Sequence, residues 1–567
     1  RETASELRKA KLSKEEVAEK LKPIEERAKR LAGEARKNPK LWYEFVLFHN
    51  DYLRDHLVAT AREVKKANRK LKVIPCFSPC YWDAGPRYSG VDYTLLARTE
   101  EFDRVEVDPY VHIRMNREYW VSFITSLVRT AARGKPIHNW INTWDGYGTK
   151  PIDMFQGMIC SFAQGVDGQS VWSYAHVGRA WMPDYKERWY YIKKAIDFIR
   201  ENSDLKDYEP ENEVAIYVPP QTYWVKYLDT PWTKHAGVWG TGYFCERTYY
   251  SLVRAHVPTD VLIPPLGHEE MIRNDLSRYK VLVLPEASWM SDVEIGMLRD
   301  WVSDGGLLIA TGPLATHTKY GTKREDEGLK DVIGATFGES KARKSIQIVE
   351  EHPILSSFKK GSRINCVGLP LKEFLAMDSA KVTYIGSPEV PLEKNLRTFR
   401  YRVKKLKEMK VSAPSYAVSS AQVLGQWADK SPALILNKYG NGHALACAAV
   451  DATIAYELVP RWREKTDRLR FVQDACSWTT NLIQSGCPPD VEINVMKKGK
   501  KTVVNFFNQG HAPVDAFKFR LPLKKKPSKV RLRTVETDEA APKFEYANGI
   551  LTVQVPEFLN FALCRIR

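Results

Sequence analysis

The stretch RVEVDPYVHIRMNREYWVSFITSLVRTAARGKPIHNWINTW, Arg104–Trp144, alternates between two residue patterns. Arg104–Val111 (RVEVDPYV) and Pro136–Trp144 (PIHNWINTW) are short β-branched and aromatic runs, the mark of strands. Arg117–Arg133 between them repeats its apolar residues at helical period. Strand, helix, strand is the unit of a parallel sheet covered by helices. The alternation continues both ways. Leu71–Ser78 (LKVIPCFS) is a strand before a helix at Asp92–Phe102, and Asp153–Gln164 is a helix before the strand Gly168–Ala175 (GQSVWSYA) and the helix Lys186–Asn202. Four such units make half of an eight-fold barrel. They are preceded by an amphipathic helix, Leu41–Lys70, with Trp42, Phe45, Val46, His49, Leu53, Leu57 and Val64 on one face. Residues 5–37 read as a charged helix broken at Pro23.

A second α/β block begins near Glu213. Its expected strands are Val214–Val218, Val261–Ile263, Tyr279–Leu284, Leu307–Ala310, Ala433–Leu436 and Ala444–Val450, with helices at Thr241–His256 and Ser291–Ser303. That order suits a doubly wound sheet. Residues 320–430 give no clear pattern. From Val491 the chain turns to short alternating strands joined by Gly, Pro and Lys turns, as in a small β-sandwich. The expected division is 1–205 for the barrel portion, 206–485 for the α/β domain and 486–567 for the sandwich.

The chain has 567 residues, 44% apolar and 27% charged, which excludes a mainly disordered protein. No apolar run approaches the ~20 residues that span a bilayer. Arg1-Glu2-Thr3-Ala4 shows no signal-peptide pattern, and the compartment stays open. Nine cysteines, scattered and odd in number, suggest buried thiols rather than a disulfide framework. The net charge of +17 is concentrated at the ends: residues 1–40 carry +5 and residues 497–567 carry +9. No nucleic-acid-binding motif accompanies it, so nucleic acid is not an expected partner. Solvated surface explains the charge, and so does attraction to an acidic or sulfated polysaccharide.

The order of parts resembles the family 42 glycoside hydrolases, the β-galactosidases. Leu41–Lys70 followed by LKVIPCFS resembles that family's long helix before its fifth barrel strand. Asp108-Pro109-Tyr110 is similar to the Asp-x-Tyr that ends its sixth strand, and Gly134-Lys135-Pro136 to the entry of its seventh. AQGVDGQSVWSY (Ala163–Tyr174) resembles the run into the eighth strand. YKVLVLPEASWMSDVEIGMLRDWVSDGGLLIATG (Tyr279–Gly312) and KYGNGHALACAAVD (Lys438–Asp451) resemble the family's amidotransferase-like trimerisation domain. The resemblance implies a saccharide substrate, a homotrimer and no cofactor. It also implies four barrel strands with an acid/base Glu upstream of Arg1, so a preceding segment or separate chain would complete the barrel. The family's nucleophile Glu belongs late in the seventh strand. Here that stretch is IHNWINTW, with no carboxylate before Asp145.

Barrel sites form where strands end and βα loops begin. The carboxylates there are Asp83, Asp108 and Asp145. Asp145 and Asp108 are the candidate catalytic residues. Asp145 lies in the turn WDGYG and could serve as nucleophile or general base, or simply cap the turn. For Asp108 the resemblance implies substrate binding more than bond cleavage. Glu106, two residues earlier on the same strand face, is expected in an inward salt bridge. Eleven of the 16 Trp lie in residues 42–239. Trp82, Trp140, Trp144 and Trp172 fall near strand ends, where indole faces can cover sugar C–H faces. Tyr110, His112, Asn142 and His176 join them as candidate substrate-binding residues. Trp42, Trp120 and Trp189 are read as helix core. The spacing of His112, His138 and His176 is no metal motif, and no metal is expected. His49-Asn50-Asp51 would mimic a strand-ending Asn-Glu only if that segment were a strand, which its helical period opposes. After Leu284 the chain reads PEASWMSD, without the Cys of amidotransferase catalysis. Two functions remain: a glycosidase, or a non-catalytic carbohydrate-binding or structural protein built on a degenerate barrel.

Overall fold

The computed structural model describes residues 37–77, 85–88, 90–109, 117–142, 151–172, 185–226, 243–366, 411–449, 467–510 and 512–567, with isolated positions 19, 26, 30 and 34. It is a mixed α/β fold. Helix α1 (Pro39–Ala67) starts behind Asn38, whose side chain accepts from the Leu41 N–H at 3.1 Å. The helical reading of His49-Asn50-Asp51 holds. Asn50 is buried and donates to the Val46 carbonyl, while Asp51 is only half exposed and meets Arg54 and His268.

Of the face that the periodicity of α1 suggests, Val46 is buried, Trp42, His49, Leu53, Leu57 and Val64 are half-buried, and only Phe45 is exposed. Tyr43, Val46, Asn50, Val58 and Ala61 are buried, whereas Leu41, Phe45, Phe48 and Tyr52 are exposed. The α/β domain is the cause. It takes Tyr43 edge-on against Tyr320 at 5.2 Å and seats Leu47 over Gly267, turning the covered stripe toward itself.

The β/α alternation is present as read. Strands β1 (Cys76–Phe77), β2 (Val105–Val107), β3 (Ile137–Asn142) and β4 (Gly168–Trp172) form one parallel sheet in chain order. Between and after them run α2 (Tyr93–Arg98), α3 (Arg117–Ala132), α4 (Pro151–Ala163) and α5 (Tyr185–Glu201). Val105, Val107 and Ile137 pack on α3 residues such as Phe123 and Leu127, and Ile141 packs with Met154 and Met158 of α4. Trp120 is core, but Trp189 is 42% exposed, against expectation.

The chain next contributes β5 (Glu209–Pro210), then enters a nine-stranded sheet. Its members are β6 (Val214–Tyr217), β7 (Thr259–Leu262), β8 (Val281–Trp289), β9 (Leu307–His317), β10 (Ser345–Ile348), β11 (Arg363–Asn365), β12 (Gln422–Gln426), β13 (Pro432–Tyr439) and β14 (Gly442–Cys447). The order is 7-6-8-9-14-13-12-10-11. The first five strands are parallel and the rest add antiparallel. Helices α6 (Tyr243–Arg254), α7 (Asp292–Ser303) and α8 (Asp467–Ser477) belong to this region. A capping box starts α7: Ser291 accepts from the Glu294 N–H, and Glu294 accepts from the Ser291 N–H.

The C-terminal part comprises β15 (Gln484–Ser485), β16 (Val491–Lys498), β17 (Lys501–Asn508), β18 (Phe517–Pro522), β19 (Val530–Thr534), β20 (Phe544–Ala547), β21 (Ile550–Val555) and β22 (Phe561–Ile566). They form antiparallel sheets of order 19-22-17-16-5 and 15-18-21-20 around a shared core of Val504, Phe506, Phe519 and Val553. No described helix is long and apolar enough to cross a membrane.

Candidate active site

Strand alternation divides the residues of the parallel sheet between two faces. Val105, Val107, Ile137, Asn139 and Ile141 turn to the helices. Asn139 donates to Thr125 of α3 and Ser161 of α4. The opposite face, the one that would turn inward in a barrel, carries Cys76, Glu106, His138, Trp140 and Ser170. The register sets Cys76 beside Glu106, Glu106 beside His138, and Trp140 beside Ser170.

Two hydrogen bonds organise this face. Trp140 Nε1 donates to Glu106 Oε2 at 3.1 Å, and His138 Nε2 meets Ser170 Oγ at 2.8 Å. The imidazole and indole rings lie 6.0 Å apart. Gly168 makes room for the imidazole: a Cβ there would stand 2.6 Å from His138 Nδ1. Burial, with the Arg104 guanidinium, lowers the His138 pKa against the pull of Glu106. His138 is therefore a neutral hydrogen-bonding group near pH 7. Burial, with the Glu106 and Asp108 carboxylates, pushes the Cys76 thiol up to about 11, so it is no thiolate nucleophile.

Asp108 follows β2 directly and is half-buried. Asn142 and Trp172 are partnered at the ends of β3 and β4, and their side chains lie outside the described residues. So do Trp82, Tyr110, His112, Trp144, Asp145 and His176. Asp108 and Trp140 thus share one strand-end region of the sheet. Glu106 points inward as expected, but its hydrogen-bond donor is an indole rather than a cation. Ser170 and Cys76 were not singled out in the sequence. The signal that could have found them is the alternation itself, because His138 and Trp140 fix which residues of each neighbouring strand share their face.

No protein-family model and no curated protein matches the chain. Solved structures do. The β-galactosidase of Bacillus circulans sp. alkalophilus superposes with a TM-score of 0.61 at 15% identity, covering 90% of this chain and 67% of that one. That of Rahnella sp. R3 gives 0.62 at 14% identity, covering 93% and 68%. Gan42B, a family 42 β-galactosidase of G. stearothermophilus, gives 0.60 at 14% identity, covering 91% and 67%. The fold is that of the family 42 β-galactosidases. The chain spans about two-thirds of the length of these proteins. At such identity the family 42 likeness establishes the fold and assigns no residue a role.

Glu286, just after Pro285 in β8, has φ 53° and is buried. A left-handed backbone at a non-glycine residue is strained. The side chain is a carboxylate bonded to Lys226 Nζ at 3.0 Å, so a thiol nucleophile is absent from that position.

Proposed function

We propose that the chain is a glycoside hydrolase acting on β-galactosidic or related linkages of an oligo- or polysaccharide, anionic and sulfated polymers included. The observation that carries this reading is the polar sheet face. A carboxylate, an imidazole, an indole and a hydroxyl line consecutive parallel strands where a barrel interior ordinarily packs branched aliphatic residues. Sugar rings call for this mixture, with flat apolar faces for the indole and hydroxyl groups for the polar side chains. In this assignment Trp140 and Trp172 flank the ring, joined by Trp82 and Trp144. Asp108, His138, Asn142 and Ser170 bond its hydroxyls, with Tyr110, His112 and His176 around the rim. Asp145 is the nucleophile or general base.

Hydrolysis with retention needs two carboxyl groups about 5–5.5 Å apart on opposite sides of the scissile bond, and inversion needs about 6.5–9.5 Å. Glu106 and Asp108 stand on one strand, two residues and about 6.6 Å apart along the backbone, and so line one side only. Asp145's partner then comes from four further β/α units that close the barrel, on the same polypeptide or on another chain. Support for closure lies at both edges of the sheet. Among the described residues β1 and β4 each pair on one side, and the flanking helices expose Phe45, Phe48 and Tyr52 on α1 and Trp189 and Tyr190 on α5. The trimer belongs to the same proposal, and light scattering that found a monomer would remove it.

One observation favours a second reading, a carbohydrate-binding protein without catalysis. β3 ends in Ile141-Asn142, and Ile141 is fully buried against α4, so no carboxylate stands at this end of the strand. The deciding experiment replaces Asp145 with Asn and measures reducing sugar released from a panel of galactans. Hydrolase action predicts a loss of at least about 100-fold. Unchanged turnover would take Asp145 out of the mechanism. No turnover by the parent chain completed with its closing units would leave the binding reading.

A further inference from the structure

The C-terminal sandwich gathers cations at one end of its five-stranded sheet. Its register shows how. Lys498 and Lys501 face each other across the β16–β17 hairpin, with Lys500 in the turn. Thr502 pairs with Ile566, which sets Lys501 next to Arg567. Arg567 and Lys529 are joined by backbone bonds of 2.9 and 3.2 Å at the start of β19. Four neighbouring strands therefore present Lys529, Arg567, Lys501 and Lys498 at the same end. At a strand spacing of about 4.8 Å the row is about 14 Å long. The connection from β18 to β19 adds Lys524, Lys525 and Lys526 within a few residues of Lys529.

All eight cations, Lys500 included, are exposed. Lys498 meets Asp207 at 2.7 Å. Among the described residues no other member of the set has a carboxylate within ion-pair distance. Such a concentration of like charge costs folding energy through self-repulsion unless an anion neutralises it. Beside the row lies a cleft of about 450 Å³ lined by Ile483, Val495, Leu521 and Lys524, and by Glu213 and the ion pair of Lys497 with Glu211.

We propose that this row is a docking surface for a polyanionic, sulfated polysaccharide, the polymer whose linkages the polar sheet face handles. The proposal deepens the hydrolase reading and rests on it only for what happens to the polymer after it docks. A linear, open row fits a charged chain rather than a small enclosed anion. A single-stranded nucleic acid would call for aromatic platforms to stack its bases, and residues 497–502 and 524–529 contain no aromatic side chain. The β-strand ends also offer no helix to lay in a duplex groove. An anionic membrane would be gripped by an amphipathic helix or aromatic anchors beside the charge, and the row has neither.

The test compares the full chain with the variant K500E/K501E/K525E/K529E. The ligands are a sulfated galactan, the same polymer desulfated, duplex DNA and phosphatidylserine vesicles, each at about 50 and about 200 mM salt. The expected parent binds the sulfated polymer at least about 10-fold more tightly than the desulfated one, and its affinity falls steeply with salt. The variant loses at least about 10-fold in that affinity, and its salt dependence flattens as the cations are removed. Without polymer its thermal midpoint should be at or above the parent's as the self-repulsion is relieved, and, each completed with the closing units, the two should turn over a small neutral galactoside alike. A neutral variant, K500Q/K501Q/K525Q/K529Q, should fall between the two. Equal binding of both galactans, tighter binding of DNA or vesicles, or a variant that binds like the parent would overturn the docking surface. Charge-dependent binding without hydrolysis of any galactan by the chain completed with its closing units would instead remove the hydrolase reading and leave the surface standing.

Discussion

Glu294 couples the stability of the α/β domain to pH in an unusual direction. Its carboxyl is fully buried at the third position of α7. Oε1 accepts from the Tyr217 hydroxyl at 3.0 Å, and Oε2 accepts from the Ser291 N–H at 3.0 Å. Those donors favour the ionised form, but burial outweighs them, and the neighbouring Glu269 carboxyl adds repulsion. The Glu294 pKa rises from 4.5 to about 8. The sign follows. Below the unfolded value both states hold the proton and the native state has its full stability. Between 4.5 and about 8 the unfolded chain ionises while the folded one does not, so stability falls as pH rises. At about 1.36 kcal/mol per pH unit, moving from about pH 5 to about pH 8 removes about 4 kcal/mol. For a domain of this size that is a fall of about 8 °C in Tm. Asp92, whose pKa burial raises to about 6, works in the same sense at the acid end of this range. The Glu294→Gln variant separates the two. The amide keeps the Tyr217 bond but turns an NH2 toward the Ser291 N–H, which costs about 1 kcal/mol at every pH. Melting curves from pH 5 to 8 should therefore cross. E294Q is the less stable at the acid end and the more stable, by about 3 kcal/mol, at the alkaline end. Parallel curves would refute a carboxyl held protonated at neutral pH.

Changes at four further sites test the packing. Glu492, fully buried in the sandwich, accepts from Ser122 and Gln164 of the barrel region and from Asn494 and Gln509. Glu492→Leu strands the Asn494 and Gln509 donors, while Gln164 keeps Ser122 Oγ and Ser122 keeps the Tyr249 hydroxyl, and should cost about 2–4 kcal/mol in urea unfolding. Glu492→Gln should be mild, because three of the donors converge on one oxygen that an amide retains. Asp275→Ala leaves the Arg98 guanidinium, 1% exposed and 2.6 Å from that carboxylate, buried with only carbonyl partners. A loss of about 3–5 kcal/mol is expected from chemical denaturation. Gly442→Ala would set a Cβ 2.1 Å from the Val302 carbonyl and 2.3 Å from that of Gly306, whereas a Cβ at Gly499 meets nothing within 4 Å. Thermal melts should show the first losing about 2–3 kcal/mol and the second, strained only by its φ of 58°, about 1 kcal/mol.

What could be read in the sequence was the part written locally. Each β/α unit of the barrel region carries its own period, so β1–β4 and α2–α5 fall where the residues place them. Helix starts were legible where a short polar side chain caps them, as Asp92 and Ser291 do. Residues 320–430 were not legible, because β10, β11 and β12 are short strands that exist by pairing across the sheet. The face of α1 was legible except at Phe45, for a related reason. Its aromatic residues surround the helix, and only the arrival of Tyr320 and Gly267 from the α/β domain decides that Tyr43 and Leu47 are covered and Phe45 is not. At the candidate site the sequence named Asp108 and Trp140, residues of conspicuous chemistry. Ser170 carries little signal alone and acquires a role only from its hydrogen bond to His138 on the neighbouring strand.

The polar sheet face makes barrel closure and ligand binding a single physical problem. Glu106 is a carboxylate whose hydrogen-bond donor is the Trp140 indole. Sealing it behind four further strands would cost several kcal/mol unless those strands brought donors with them. Branched aliphatic residues, the ordinary filling of a barrel, would leave Glu106, His138 and Ser170 poorly matched. In the closed barrel proposed above, the closing units would have to present polar groups to this layer or leave it wet. A wet, polar layer with an indole wall is one that hydroxyl-rich rings can enter by exchanging water hydrogen bonds for equivalent ones. Trp140→Phe separates the possibilities. If the layer is merely a polar core, losing the indole donor lowers stability by about 1.5–3 kcal/mol, with no ligand dependence. If the layer receives sugar, the change weakens galactan binding more than it weakens the fold, and added saccharide raises the parent's Tm more than the variant's. An equal saccharide shift in both proteins would remove Trp140 from the binding surface.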